Sequence, residues 1–149
     1  IKKNDMAYTY DYPRPAVTVD CLLFSQPGAS PDILLVQRDK PPYESQWALP
    51  GGFVEMDENL EEAVYRELQE ETNLSEIALD QFRTFGEPGR DPRGRTISIV
   101  YFGFVDQDQH QPRAGSDARS VRWFNLDSLP PLAFDHGKII ALARQDLGL

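Results

Sequence analysis

Cysteine is nearly missing, for Cys21 is the single thiol in 149 residues. One thiol cannot close an internal disulfide, so a stapled secreted scaffold is excluded and a reducing, cytoplasmic setting is expected. Within the apolar run 21–24 this cysteine reads as core. Long apolar runs are also lacking. Stretches such as 16–19 and 21–24 fall far short of the roughly 20 residues a membrane-spanning helix requires, so no membrane partner is expected. Residues 1–5 are polar and carry no apolar stretch of the kind a secretory signal needs. Positive charge is the third deficit: 15 Lys and Arg face 24 Asp and Glu, for a formal charge of −9. That balance argues against a nucleic-acid partner, whose capture depends on many basic contacts with phosphate. An acidic chain that handles phosphates must instead recruit cations locally, as arginines or as bound metal ions.

What is present suits one compact domain over residues 1–149, with 40% apolar and 11% aromatic content. The Val- and Leu-rich stretch 16–24 predicts a buried strand, and 33–36 a second that pairs with it as a hairpin. Trp47 and Leu49-Pro50-Gly51-Gly52 fall in a loop. Leu60, Ala63, Val64 and Leu68 then repeat at helical spacing, and Asn59 with Glu62 three residues on reads as a capping box. Strands are expected at about 77–85, 96–105 and 121–124. Between them lie a Gly/Pro/Arg loop at 86–95 and a long polar loop at 106–120, and an amphipathic helix over 135–147 closes the chain. Strands interleaved with two helices imply an α/β fold, a mixed sheet between helices.

Chemistry concentrates in the second half of the first helix, Arg66-Glu67-Leu68-Gln69-Glu70-Glu71. Glu67, Glu70 and Glu71 sit at i, i+3 and i+4 and project within one arc of roughly 100°. A solvated acidic face is the plain reading. The other is a site for magnesium or manganese, hard cations that take carboxylate oxygens and hold phosphates. Pro50-Gly51-Gly52 upstream offers a backbone that a ligand can approach closely.

Gly52, five residues, Glu58, seven residues, then Arg66-Glu67-Leu68-Gln69-Glu70-Glu71-Thr72-Asn73-Leu74 resembles the Nudix box of the Nudix hydrolases. Asn73 departs from it, standing where the family has glycine; Asn tolerates the left-handed conformation such a helix end needs. The resemblance implies an αβα sandwich with a loop-helix-loop site. Glu67, Glu70 and Glu71 would ligate Mg2+ or Mn2+, with the carbonyl of Gly51 or Gly52 adding a ligand. Arg66 would orient the carboxylates, and Glu58 would support the loop. For the proton-accepting base the implied region is the downstream loop, where Asp117 is the first candidate and Asp108 the second; Glu70 is the alternative within the box.

Beyond the box the chain is similar to the ADP-ribose pyrophosphatase-like group in four segments: Tyr12-Pro13-Arg14-Pro15, the stretch from Trp47 to Val54, the loop from Phe85 to Arg95, and Leu132-Ala133-Phe134-Asp135-His136. The implied reaction is metal-dependent hydrolysis of a nucleoside diphosphate linked to another moiety, ADP-ribose giving AMP and ribose 5-phosphate. Arg90, Arg93 and Arg95 form a local cationic patch suited to a diphosphate. Tyr12, Phe53, Tyr101 and Phe134 are candidate clamps for a base, although each also suits a core. Trp47 and Trp123 read as core anchors. His136 is open to capping, substrate contact or acid catalysis. A housecleaning hydrolase of nucleoside triphosphates and a non-catalytic ADP-ribose sensor are the rival functions, and a homodimer is expected from the resemblance.

Overall fold

The structure is a computed structural model that describes residues 7–26, 30–115 and 118–149. Its centre is β1 (Ala16–Ser25), which runs parallel to β6 (Thr96–Val105) from Ala16 opposite Thr96 to Ser25 opposite Val105. β5 (Asp80–Phe85) adds an antiparallel edge to β6. On the other side lie β2 (Asp32–Arg38) and β3 (Trp47–Ala48), β4 (Gly51–Phe53) pairs with β1, and β7 (Ala118–Asn125) pairs with β2.

Successive β1 residues point to opposite faces, as a strand requires. Val19, Cys21 and Leu23 pack with Ala63, Val64 and Leu68 of α1 (Leu60–Thr72). Leu22 and Phe24 instead join Ile139, Ile140 and Ala143 of α2 (His136–Leu147). The mixed sheet is thus covered on both faces, the sandwich that the resemblance implies. Leu68 is 1% exposed, and burial of a leucine this complete contributes about 1.5–3 kcal/mol. Cys21 is buried and unpaired, and the apolar surroundings push its thiol up from the ordinary range.

The expected β1–β2 hairpin is present, antiparallel but short. The two strands share the pair Phe24 and Ile33, while β2 runs along β7 from Asp32 opposite Asn125 to Arg38 opposite Ala118. β4 inserts beside β1, aligning Thr18, Val19 and Asp20 with Phe53, Gly52 and Gly51, so β2 must diverge. That insertion opens the sheet and brings the Gly51-Gly52 backbone onto α1.

The termini of α1 explain its length. Asn59 has an extended backbone and accepts the Glu62 amide at 2.8 Å, while the Glu62 carboxylate accepts the Asn59 amide, which completes the capping box. At the other end Asn73 is left-handed, with φ 61°, and donates its backbone N–H to Gln69 O. Its side chain donates to Arg113 O at 2.8 Å, a bond that the family's glycine could not make. Arg113 N and Gly115 N donate in turn to the carbonyls of Thr72 and Glu71. A Cβ on residue 115 would stand 1.5 Å from the Glu70 carbonyl oxygen, so glycine is what lets this loop close on the helix.

Candidate active site

Glu67 and Glu71 lie on the buried face of α1, at 3% and 9% exposure, because they follow Ala63 and Val64 by whole turns. The Gly51 amide donates to Glu71 Oε1 at 2.7 Å. Gly52 presses on the neighbouring acid, where a Cβ would meet Glu67 Oε1 at 2.5 Å. Backbone and carboxylates are therefore as close as they can be without a side chain between them.

Arg66 organises the acids. Its Nε and Nη2 make a fork to Glu58 at 2.9 and 2.6 Å, Nη1 donates to Glu67 at 2.7 Å and Glu70 at 3.3 Å, and Nη2 also reaches the Phe53 carbonyl. The bond from Arg66 holds Glu58 below the usual carboxylate range. Burial pushes Glu67 above it, and Arg66 only partly offsets the desolvation. Glu58 also accepts the Glu55 amide at 2.9 Å and so ties the loop before the helix.

Helix geometry puts three glutamates on one arc, and Arg66 Nη1 indeed reaches both Glu67 and Glu70, but the three do not share the cleft equally. Glu67 and Glu71 line the cleft, whereas Glu70 leans on Arg66 with a side chain 36% exposed and lies outside the lining. Among the described residues no three His, Cys, Asp or Glu side chains already stand at metal-binding spacing.

The cleft holds about 560 Å³. Its second wall is cationic and aromatic. The Arg93 guanidinium sits 5.0 Å from the Phe53 ring centre and 5.3 Å from that of Phe134. Asp91, itself buried, steers it through bonds at 3.1 and 2.8 Å and is held below the usual carboxylate range by Arg93 despite desolvation. Arg38 donates to the Pro42 carbonyl at 2.7 Å and lies 4.9 Å from the Phe134 ring centre. Burial first, and then Arg93 beside it, push the Arg38 guanidinium down from its ordinary range.

Of the other expected contacts, Arg90 lines the cleft but is committed, making a fork to Asp135 at 3.0 and 2.7 Å with a side chain 5% exposed. Arg95 is exposed at the foot of β6, outside the lining, and its carbonyl accepts the Ala16 amide. Tyr12 is 67% exposed and lies outside the lining. Tyr101 is corrected to core. It is 2% exposed beneath α1, with its hydroxyl accepting from Gln81, because both sheet faces are covered and β6 has no wet side here. Phe53 and Phe134 do line the cleft. Asp117 lies outside the described residues. Asp108 is in a short 3-10 turn, at 107–109, away from the lining. His136 is 4% exposed and accepts the Leu49 amide at Nδ1, so it is no mere cap neighbour. Asp135 makes no side-chain cap bond, its carboxylate being given to Arg90.

Asp20, Arg38 and Asp91 were not singled out by the sequence. Asp20 had a signal, as an acid interrupting the buried stretch Val19-Asp20-Cys21-Leu22-Leu23. Arg38 ends a strand and Asp91 sits among arginines, and neither position is unusual until the fold closes.

Comparison with known proteins agrees with this geometry. A family described as the NUDIX domain matches residues 14–143. The ADP-ribose pyrophosphatase of Methanocaldococcus jannaschii is 44% identical over 140 residues, spanning 94% of this chain and 79% of that protein. An ADPR-responsive transcriptional repressor of Acinetobacter baylyi is 38% identical over 137 residues, covering 89% of this chain but 54% of its own length. Among solved structures, the NUDIX domain of Shewanella oneidensis NrtR complexed with ADP ribose superposes with a TM-score of 0.84 at 34% identity, covering 93% of this chain and 94% of that one.

Proposed function

This chain belongs to the NUDIX family of pyrophosphohydrolases, and from that premise we propose that it hydrolyses ADP-ribose to AMP and ribose 5-phosphate in a reaction that depends on a divalent metal. The observation that carries the reading is the division of one cleft into an acidic wall, Glu67 and Glu71 on Gly51-Gly52, and a cationic aromatic wall, Arg38 and Arg93 about Phe134. A diphosphate needs cations on both sides, and only one wall supplies its own.

The residues of the acidic wall fit Mg2+ or Mn2+. They are hard oxygen donors, and Glu67 is a desolvated carboxylate whose charge Arg66 only partly offsets. Glu67 and Glu71 would hold the ion with a carbonyl of Gly51 or Gly52, and Glu70 would join them on leaving Arg66. A divalent ion there supplies charge neutralisation for phosphoryl oxygens and acidifies water. Arg66 sets the carboxylate positions, Arg38 and Arg93 grip the anion, and Phe53 and Phe134 offer ring faces to the base or ribose. Glu70 is proposed to take the proton from the attacking water, with Asp117 in the same role as the alternative. Water then adds to one phosphorus, the bridging oxygen leaves with the other, and two phosphomonoesters result. The exposed rings of Tyr8, Tyr10 and Tyr12 support a homodimer as part of the same proposal.

Steady-state assays on the native chain test this reading, with AMP released from ADP-ribose in the presence of Mg2+ and not in EDTA. Faster pyrophosphate release from dGTP analogues would move the substrate to nucleoside triphosphates. The similarity to an ADPR-responsive repressor favours a second reading, a sensor. Tight ADP-ribose binding without turnover would establish it. Arg38→Met tests the cationic wall: hydrogen bonds to charged groups contribute about 1.5–3 kcal/mol, so KM should rise roughly 10- to 100-fold with little change in kcat.

A further inference from the structure

The segment Leu49-Pro50-Gly51-Gly52 brings only backbone to the acidic wall, so its position must be imposed from outside. Three bonds do so. Cys21 N donates to the Pro50 carbonyl at 2.8 Å, Gly51 N to Glu71 at 2.7 Å, and Leu49 N to His136 Nδ1 at 3.0 Å. The first two come from parts of the site already in place. The third comes from the first residue of α2, a helix whose other ties to the cleft are structural.

Leu49 is 2% exposed, so its amide has little access to water that could replace a lost partner. An orphaned buried amide is costly enough that the chain must move to satisfy it. His136 is equally buried, and burial pushes its imidazole below the ordinary range, which keeps the Nδ1 lone pair free to accept. With Nδ1 accepting, the ring proton belongs on Nε2, which faces Asp20 Oδ1 at 3.9 Å. Asp20 is fixed by the Ser98 hydroxyl on its other oxygen, and it pairs across the sheet with Gly51. Both ends of the imidazole are thus tied to the same short backbone. The helix start is itself braced, since Arg90 grips Asp135 and Lys138 reaches Glu87 at 2.6 Å.

We propose that His136 is a positioning residue for hydrolysis, holding the Leu49-to-Gly52 backbone against Glu67 and Glu71 through the Leu49 amide. It does this through backbone, and although its ring borders the cleft, its Nδ1 is given to the Leu49 amide. The inference rests on the hydrolase reading and adds to it a group on the far helix that governs turnover.

The test compares native chain, His136→Leu and His136→Asn, measuring ADP-ribose turnover and hydrogen exchange at the Leu49 amide well below the melting transitions. Loss of the acceptor in His136→Leu should speed Leu49 exchange and lower kcat about 10- to 100-fold, with KM within about threefold. His136→Asn, whose Oδ1 can take the place of Nδ1, should restore slow exchange and most of kcat. The inference is overturned if either quantity moves without the other in any variant, or if the change is confined to KM, which would make His136 a substrate contact. Should His136→Leu not fold, His136→Asn decides alone by the same coupling. A native chain without turnover would sink the hydrolase reading instead, while the exchange data would still report on the anchor.

Discussion

Changing Glu71 to Gln should lower kcat for ADP-ribose hydrolysis by about three orders of magnitude, a loss of roughly 4 kcal/mol in transition-state stabilisation. The substitution is nearly isosteric. The amide oxygen of Gln can still accept the Gly51 amide, which now ends on Glu71 Oε1 at 2.7 Å, so the backbone has no reason to shift. What disappears is one negative charge from a wall where Glu67 is already desolvated. A divalent ion bound there would lose a ligand that a neutral amide replaces poorly. Stability should move the other way, because Glu67 and Glu71 are like charges one turn apart on a buried face and their repulsion is relieved. Thermal melts without added metal, beside kcat measured at saturating Mg2+, separate the two effects. Turnover within a few-fold of native would mean the acidic wall does not hold the catalytic cation; turnover lost together with a lower melting temperature would mean the change acts through folding.

Helix α1 was legible because every level of its sequence agrees: apolar spacing, a capping box at Asn59 and Glu62, and a left-handed stop at Asn73. β6 was legible as an unbroken run of β-branched and aromatic residues, and its predicted limits at 96 and 105 are those observed. β3 and β4 were not, since strands of two and three residues are too short to show a period and exist only because β1 and β2 accept them. Tyr101 was misjudged for a related reason: with a helix on each side of the sheet, alternation along β6 no longer tells a cleft from a core. At the site, spacing placed Glu67 and Glu71 on one face but could not say that Arg66 Nη1 bridges Glu67 and Glu70 while Glu70 stays outside the cleft lining. Arg38 and His136 take their roles from partners distant in sequence or from a ring met only on folding, 87 residues separating His136 from Leu49. No local pattern encodes such a partner.

Arg66→Ala should cost about 3 kcal/mol of stability at neutral pH and abolish most activity, because it removes one cation from contact with three carboxylates. Glu58 loses a fork, and Glu67, with a side chain 4% exposed, is left as a buried charge without its strongest donor. Arg66→Lys should recover little, since a single ammonium cannot make the fork to Glu58 while reaching Glu67 and the Phe53 carbonyl. The charge origin of the loss fixes its pH dependence. Glu58 has a folded-state pKa below the ordinary value, so its contribution is present above that ordinary value and is lost as pH falls through the depressed one. Glu67 has the opposite sign. Its pKa is raised by burial, so ionising it works against the fold as pH climbs from the ordinary value through the raised one, and Arg66 reduces that penalty. Removing Arg66 therefore withdraws the Glu58 gain and enlarges the Glu67 penalty, and both effects need ionised carboxylates. The stability difference between native and variant should be largest near neutrality and shrink through the carboxylate range, which urea denaturation at about pH 4 and pH 7 measures directly. An equal difference at both values would assign the loss to packing of the Arg66 alkyl chain, and the view of Arg66 as the organiser of the acidic wall would fail.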